Sequence, residues 1–381
     1  MTSFDFLVIG AGISGASAAA ELAASGKVLL VEAEALAGYH STGRSAALYT
    51  PNFGSPLVRR LNAAGHDFFT APPEGFATTP LLTPRAALTI ARPGEEVALE
   101  AVLAMSTSAH PIHRIPVAEA LRLAPVLRPE VVGVAALEPG VTDMDVAAIH
   151  QGFLSLFRRR GGVIRLNAPV TALTRDGRGW RATVGGETVL AGIVVNAAGA
   201  WGDDVARLAG APALELVAKR RTMIAVEAPG FAGAVEMPLI EFAGEEAYFK
   251  PDAGRILASP GDETPVAPQD VQPEEWDIAV IVDWLHRHTT LDVKRVPNAW
   301  AGLRSFVADH APVVGFDPDC PGFFWLIGQG GYGIMLSPTL ARVAGNLATG
   351  GALPADIAAT GISAAELAPE RLRRAKARIR A

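Results

Sequence analysis

The sequence predicts an α/β fold: a doubly wound parallel sheet, with an α+β part on a mainly antiparallel sheet inserted into it twice. Three stretches carry that expectation. Residues 4–9, 193–196 and 323–327 read as apolar strands, and each runs straight into small residues and then into a helix. They are far apart in the chain but alike in kind. The simplest arrangement brings them to one edge of one sheet, where the backbone is open to a ligand.

The first stretch is the most informative. Gly10-Ala11-Gly12-Ile13-Ser14-Gly15 follows its strand without a gap, and a helical run over 16–24 stops at Ser25-Gly26. A second apolar strand, 28–31, ends on Glu32. Strand, G-x-G-x-x-G, helix, strand and acid is the order of a dinucleotide-binding, Rossmann-like βαβ unit. Gly10 permits the tight turn, Gly12 lets a pyrophosphate approach the backbone, and Gly15 lets the helix close on the sheet. Ile13 and Ser14 open that helix, whose N–H groups and dipole suit an anion. Glu32, about twenty residues on, can accept from ribose hydroxyls and disfavours a 2′-phosphate. The loop Gly38-Tyr39-His40-Ser41-Thr42-Gly43-Arg44-Ser45-Ala46-Ala47 is small and polar and can wrap a phosphate or a flavin ring. Its candidate contacts are Ser41, Thr42, Arg44, Ser45 and Ala46; the alternative is an ordinary polar loop.

Further elements follow in order. Residues 57–69 have helical period, and Pro72-Pro73 and Pro80 then break the chain. Residues 81–140 read as short strands with one helix over 117–123. A helix over 145–160, capped by Asp143 or Asp145, stops at Gly161-Gly162. Strand 163–166 restarts the parallel sheet, and 170–173, 180–184 and 188–190 form a meander before the buried strand 193–196. From 214 to 300 the chain is strand-rich, with one amphipathic helix over 273–288. After strand 323–327 a last helix is expected over 338–349. Residues 1–75, 143–211 and 312–381 are assigned to the parallel-sheet domain, and 76–142 and 212–311 to the other.

Composition bounds the function. At 381 residues, 50% hydrophobic and 19% charged, the chain is globular with ample core. A net charge of −6 argues against nucleic acid. Cys320 is the only cysteine, so no internal disulfide or thiolate metal cluster forms, and a reducing compartment fits. No metal is expected. The N-terminus lacks the features of a signal peptide, and no apolar run reaches membrane-spanning length. The cytoplasm and a monomer are the expectation, with membrane contact disfavoured; the basic tail from Arg371 to Arg380 reads as a solvated helix. A nicotinamide enzyme has no use for a third glycine turn, whereas an extended FAD along the sheet edge does.

Four motifs together resemble the D-amino-acid oxidase superfamily of flavoproteins, over nearly the whole chain. They are Val8-Ile9-Gly10-Ala11-Gly12-Ile13-Ser14-Gly15, Val195-Asn196-Ala197-Ala198-Gly199-Ala200-Trp201, Gly302-Leu303-Arg304 and Gly328-Gln329-Gly330-Gly331-Tyr332-Gly333-Ile334. Within it, the loop 38–47, Lys219-Arg220-Arg221, residues 248–254 and residues 300–309 are most similar to bacterial D-arginine dehydrogenases. The resemblance implies a Rossmann-like FAD-binding domain with an interleaved substrate-binding domain and non-covalent FAD. It implies cofactor contacts from Val170, Ala198, Gly199, Trp201, Arg304, Gly330, Gly331, Tyr332, Gly333 and Ile334. The implied reaction is hydride transfer from a D-amino acid to flavin, giving a 2-oxo acid and ammonia. The electron acceptor, whether quinone, dye or oxygen, stays open. Arg221 and Arg304 match the arginines that hold the substrate carboxylate, as planar guanidinium groups do bidentately. Tyr248 matches a tyrosine beside the substrate, and Gly331 falls where a backbone carbonyl receives the amine. Thr50 completes the pocket.

The departures are as informative. D-arginine dehydrogenases carry an acid facing the substrate guanidinium, and Ala87 stands there in this chain. Leu48, Phe53 and Met335 are apolar neighbours. A cation buried without a partner is costly, so an uncharged, apolar substrate side chain is the expectation. Glu241 would restore a cationic preference if it pointed inward, which strand alternation alone does not decide. Competing readings are oxidation of a secondary amine or a 2-hydroxy acid, a nicotinamide-dependent reductase, and a non-catalytic nucleotide-binding module.

Overall fold

A computed structural model describes residues 2–227 and 236–373. The chain opens with β1 (Thr2–Ile9), α1 (Ile13–Leu22) and β2 (Val28–Val31), then β3 (Leu48–Tyr49) and α2 (Pro56–Thr70). Next come β4 (Leu82–Pro84), β5 (Ala87–Ala91), α3 (Glu96–Leu103), β6 (His113–Ile115), α4 (Val117–Leu123), β7 (Val134–Glu138) and β8 (Thr142–Met144). The middle holds α5 (Val146–Arg159), β9 (Val163–Arg165), β10 (Val170–Asp176), β11 (Gly179–Val184), β12 (Glu187–Asn196) and α6 (Gly202–Ala209). Then follow β13 (Val217–Glu227), β14 (Leu239–Phe242), β15 (Tyr248–Asp252), β16 (Arg255–Ser259), α7 (Glu275–His288) and β17 (Asn298–Phe306). The chain returns through β18 (Val313–Phe316) and β19 (Phe323–Ile327) to α8 (Gly333–Ala348).

These strands make two large sheets and a small one. In the first, β19, β12, β1, β2 and β9 run parallel, and β18, β10 and β11 add antiparallel edges. β1 and β12 are buried along their C-terminal halves and β2 and β19 throughout, as strands covered on both faces must be. Helices α1, α5 and α8 cover one face around Leu22, Phe153 and Leu340. The second sheet has the order β17-β13-β16-β15-β14-β5-β7-β6 and is antiparallel except where β14 meets β5. β3, β8 and β4 form a three-stranded bridge.

Three details correct the sequence reading. The stretch 81–140 holds a second helix, α3, whose only fully buried side chain is Leu99, so its apolar periodicity is faint. The strands expected at 188–190 and 193–196 are one strand, β12, continuous through Gly192, where a side chain would press on the Asp5 carbonyl. Helix α8 starts at Gly333, five residues before Pro338. Pro338 cannot donate to the Ile334 carbonyl, and the Ser337 hydroxyl takes its place at 2.8 Å. The expected tail helix lies beyond residue 373, outside the described residues, apart from Arg371 on Asp309 and Arg373 on Asp317. No helix among the described residues is long and apolar enough to cross a membrane.

Candidate active site

Two cavities meet in one cleft where the C-terminal ends of the parallel strands face the second sheet. The first, about 380 Å³, is lined by Gly10, Gly12, Ile13, Ser14, Glu32, Ser41, Thr42, Val170, Ala198, Gly199, Trp201, Gly330 and Gly333. Local chemistry holds these residues in place. Gly10 turns at φ +100°, a conformation open to glycine, and a side chain there would stand 2.6 Å from the Ala197 carbonyl oxygen. Gly15 does not line the cleft; a Cβ there would sit 1.8 Å from the Gly10 carbonyl oxygen, so it is the close-packing glycine of the unit. The Glu32 carboxylate accepts from the Ala11 amide at 2.8 Å and the Glu34 amide at 3.2 Å. Thr42 Oγ1 accepts from the Ile13 amide at 3.0 Å, and Ser41 Oγ donates to the Leu303 carbonyl at 2.7 Å. His150 lies buried beneath the glycine turn with Nε2 at 2.9 Å from the Ala11 carbonyl; burial holds its pKa low, so it is a neutral donor.

This cavity fits an FAD. Two buried polar atoms in its lining, Gln329 Nε2 and His40 Nδ1, have no partner, an expensive state unless a ligand supplies one. The α1 N-terminus and the Gly12 backbone suit the pyrophosphate, and Glu32 suits the adenosine ribose. Gln329 and His40 were not among the residues expected from the sequence. The position of Gln329, between Gly328 and Gly330 of the third turn, is the signal that could have found it.

The second cavity, about 300 Å³, shares Ile13, Ser41, Thr42, Leu303, Gly330 and Gly333 with the first. It brings together Arg221, Tyr248 and Arg304, along with Ser45, Ala46, Leu48, Thr50, Phe53, Glu241, Gly331, Ile334 and Met335. The register Lys219↔Arg304 and Arg221↔Gly302 puts Arg221 and Arg304 on one face of the second sheet as diagonal neighbours, over a position with no side chain. Gly331 leaves room for the Arg304 guanidinium, whose Cζ would be 2.9 Å from a Cβ there. Glu241 pairs with Tyr248 and with Thr89 across its two neighbouring strands.

The electrostatics of this end are uneven. Arg221 donates to the Asp262 carbonyl at 3.0 Å and to Glu263 at 3.2 Å. Burial, and then the positive charge of Arg304, hold Arg221 below the usual guanidinium range. Burial pushes Glu263 up, but the Lys219 hydrogen bond and charge, with Arg221 and Arg304 nearby, bring it below the ordinary carboxylate range. Arg304 makes no hydrogen bond or ion pair among the described residues. Two guanidinium groups therefore face the cleft, Arg221 paired with Glu263 and Arg304 without an acidic partner among the described residues. An added anion relieves their repulsion.

Three expected contacts are placed differently. Ala87 packs behind the pocket wall with Val141, Leu239, Leu48 and Tyr248. Tyr332 lines neither cavity and lies against Phe53, with ring centroids 5.4 Å apart. Arg44 lines the second cavity, but its guanidinium is bound to Asp270 and to the Val271 and Ala301 carbonyls at 2.9 and 3.0 Å, so it offers no free charge to a phosphate. Glu241, whose direction strand alternation left open, lines this cavity together with the apolar Leu48, Phe53 and Met335. Cys320 is buried, with its Sγ 3.6 Å from the Ala209 carbonyl oxygen, and lines neither cavity.

Known proteins share this architecture. Glycine oxidase from Geobacillus kaustophilus superposes with a TM-score of 0.78 at 20% identity, covering 92% of this chain and 96% of that one. L-proline dehydrogenase from P. horikoshii superposes with a TM-score of 0.80 at 20% identity, covering 98% and 99%. In sequence, mitochondrial sarcosine dehydrogenase of Homo sapiens is 27% identical over 193 residues, which is 46% of this chain and 21% of that protein. The match thus spans about a fifth of that relative's length. The family model for FAD dependent oxidoreductases, DAO, matches residues 5–347. With FAD as its cofactor and the DAO-type α/β fold, the chain belongs to the DAO family of FAD-dependent oxidoreductases.

Proposed function

We propose that the protein oxidises the α-amine of a D-amino acid to an imine, which water hydrolyses to a 2-oxo acid and ammonia. The observation that carries this reading is the unpaired Arg304 guanidinium beside the partly neutralised Arg221, at the end of the cleft away from the glycine turn. Such a pair grips a carboxylate in fixed orientation. FAD held non-covalently along the cleft would supply the acceptor for the hydride, with its two electrons, that leaves the substrate Cα once the substrate ammonium has lost a proton to water. This chain's own residues do the positioning. Arg221 and Arg304 fix the carboxylate, the Gly331 backbone leaves a carbonyl for the amine, and the Tyr248 hydroxyl, which has no hydrogen bond among the described residues, closes the opposite side. Orientation of this kind accounts for much of the rate of hydride transfer.

A second reading, oxidation of a secondary amine carrying the same carboxylate, is favoured by the similarity to sarcosine dehydrogenase. Anaerobic bleaching of the flavin by D-amino acids, L-amino acids, sarcosine and 2-hydroxy acids separates the readings. D-amino acids are expected to bleach it fastest and to yield ammonia and a 2-oxo acid. Fastest bleaching by sarcosine with release of formaldehyde, or by a 2-hydroxy acid, contradicts the proposal, as does a preparation without flavin absorbance.

A further inference from the structure

The geometry points to Glu241 as the residue that selects the substrate's side chain: its carboxyl receives a hydrogen-bond-donating, cationic distal group, so the preferred substrate is a long basic amino acid, of lysine to arginine length. The inference deepens the proposed function and rests on it.

The second cavity is lined by three acids besides the arginines, and they differ in what is left free. Glu245 is committed to Arg92 on one oxygen and to the Trp284 indole at 2.6 Å on the other. Glu246 stands exposed at the rim. Glu241 is partly buried in the wall. Its Oε1 accepts from the Thr89 hydroxyl at 2.9 Å, and its Oε2 accepts from no protein group among the described residues. A carboxyl in a cleft wall with one oxygen held and the other open keeps an acceptor ready for a donor that enters. Burial pushes the Glu241 carboxyl up, and a bound cation supplies the missing counter-charge.

Position fits the role. The registers Glu241↔Tyr248 and Glu241↔Thr89 place Glu241 in a row across β15, β14 and β5. The registers run from Glu241 through Tyr248 and Ser259 to the level of Met223 on β13, so Arg221 lies three strand spacings across and two residues along, roughly 16 Å between backbone positions on the same face. Hydrogen bonds of about 2.9 Å at both ends leave roughly 10 Å for the substrate. That calls for a long basic side chain, of lysine to arginine length, and is well beyond the reach of alanine. The apolar walls, Leu48, Phe53 and Met335, suit the methylene stem of such a side chain.

The test compares molecules that differ only in the distal amine. With the holoenzyme, D-lysine is expected to bleach the flavin with a kcat/KM roughly tenfold or more above that of D-norleucine. 6-Aminohexanoate, which lacks an α-amine and cannot be oxidised there, is expected to perturb the flavin spectrum at roughly tenfold lower concentration than hexanoate. Glu241→Gln is expected to narrow both ratios. The inference is overturned if D-norleucine matches D-lysine, if 6-aminohexanoate binds no tighter than hexanoate, or if the substitution leaves the ratios as they were. If D-norleucine bleaches the flavin at least as fast as D-lysine, only the role of Glu241 fails. If no amino acid bleaches it while 6-aminohexanoate still outbinds hexanoate, the proposed reaction fails and the recognition by Glu241 stands.

Discussion

Glu138 shows how much a single residue's setting depends on strands that are remote in sequence. It lies opposite Ala87 on β7 and accepts from the buried Asn52 side chain at 2.9 Å. Burial pushes its carboxyl up to about 7, the Asn52 bonds oppose the shift, and the charge of Glu241 adds to it. A carboxyl raised in the folded state favours folding fully below its ordinary pKa and loses that contribution as pH rises through the folded value. Wild-type stability is therefore expected to fall, relative to Glu138→Gln, between about pH 4.5 and pH 7, with the variant more stable by a few kcal/mol at pH 8. Urea unfolding of the two proteins across that range checks this; parallel curves would contradict it. Little of this was legible in the sequence. Neither Glu138 nor the inward turn of Glu241 follows from alternation, because the face a strand presents depends on its partners. β14 pairs in parallel with β5, about 150 residues earlier, and only that pairing sets Glu241 beside Thr89.

At the scale of elements, the βαβ unit was the most legible part of the molecule. Its glycines, strands and terminal acid act on near neighbours, and their spacing alone expresses the geometry. Arg221 and Arg304 were expected together through resemblance alone; their shared face and common cavity come from the β13–β17 register, which spacing does not reveal. Helix α8 was misread because proline is a start signal only when the preceding carbonyl has no other partner, and here Ser337 provides one. The close packing of α1 on the sheet carries a direct prediction. In Gly15→Ala the new methyl meets the Gly10 carbonyl oxygen, which cannot move without disturbing the turn. The variant is expected to lose about 3 kcal/mol or more and to purify without flavin absorbance. Full retention of FAD at wild-type stability would show that this glycine does not set the approach of helix to turn.

The whole molecule works because two sheets supply different halves of one cleft. The parallel sheet lines one cavity with its three turns, and the mainly antiparallel sheet lines the other with Arg221, Arg304, Tyr248 and Glu241. Cavities that share six residues make the two halves continuous, so a ligand held by the arginines would lie against the end of the cofactor. The family and the fold require only the first half; the chemistry depends on the second. The most direct test is a titration of the flavin spectrum with hexanoate in the wild type and in Arg304→Lys, both loaded with FAD. The account predicts that the carboxylate perturbs the wild-type flavin and that its affinity falls roughly tenfold or more when the guanidinium fork becomes a single ammonium. Equal affinity in the two proteins would contradict the claim that Arg304 holds the substrate carboxylate beside the flavin.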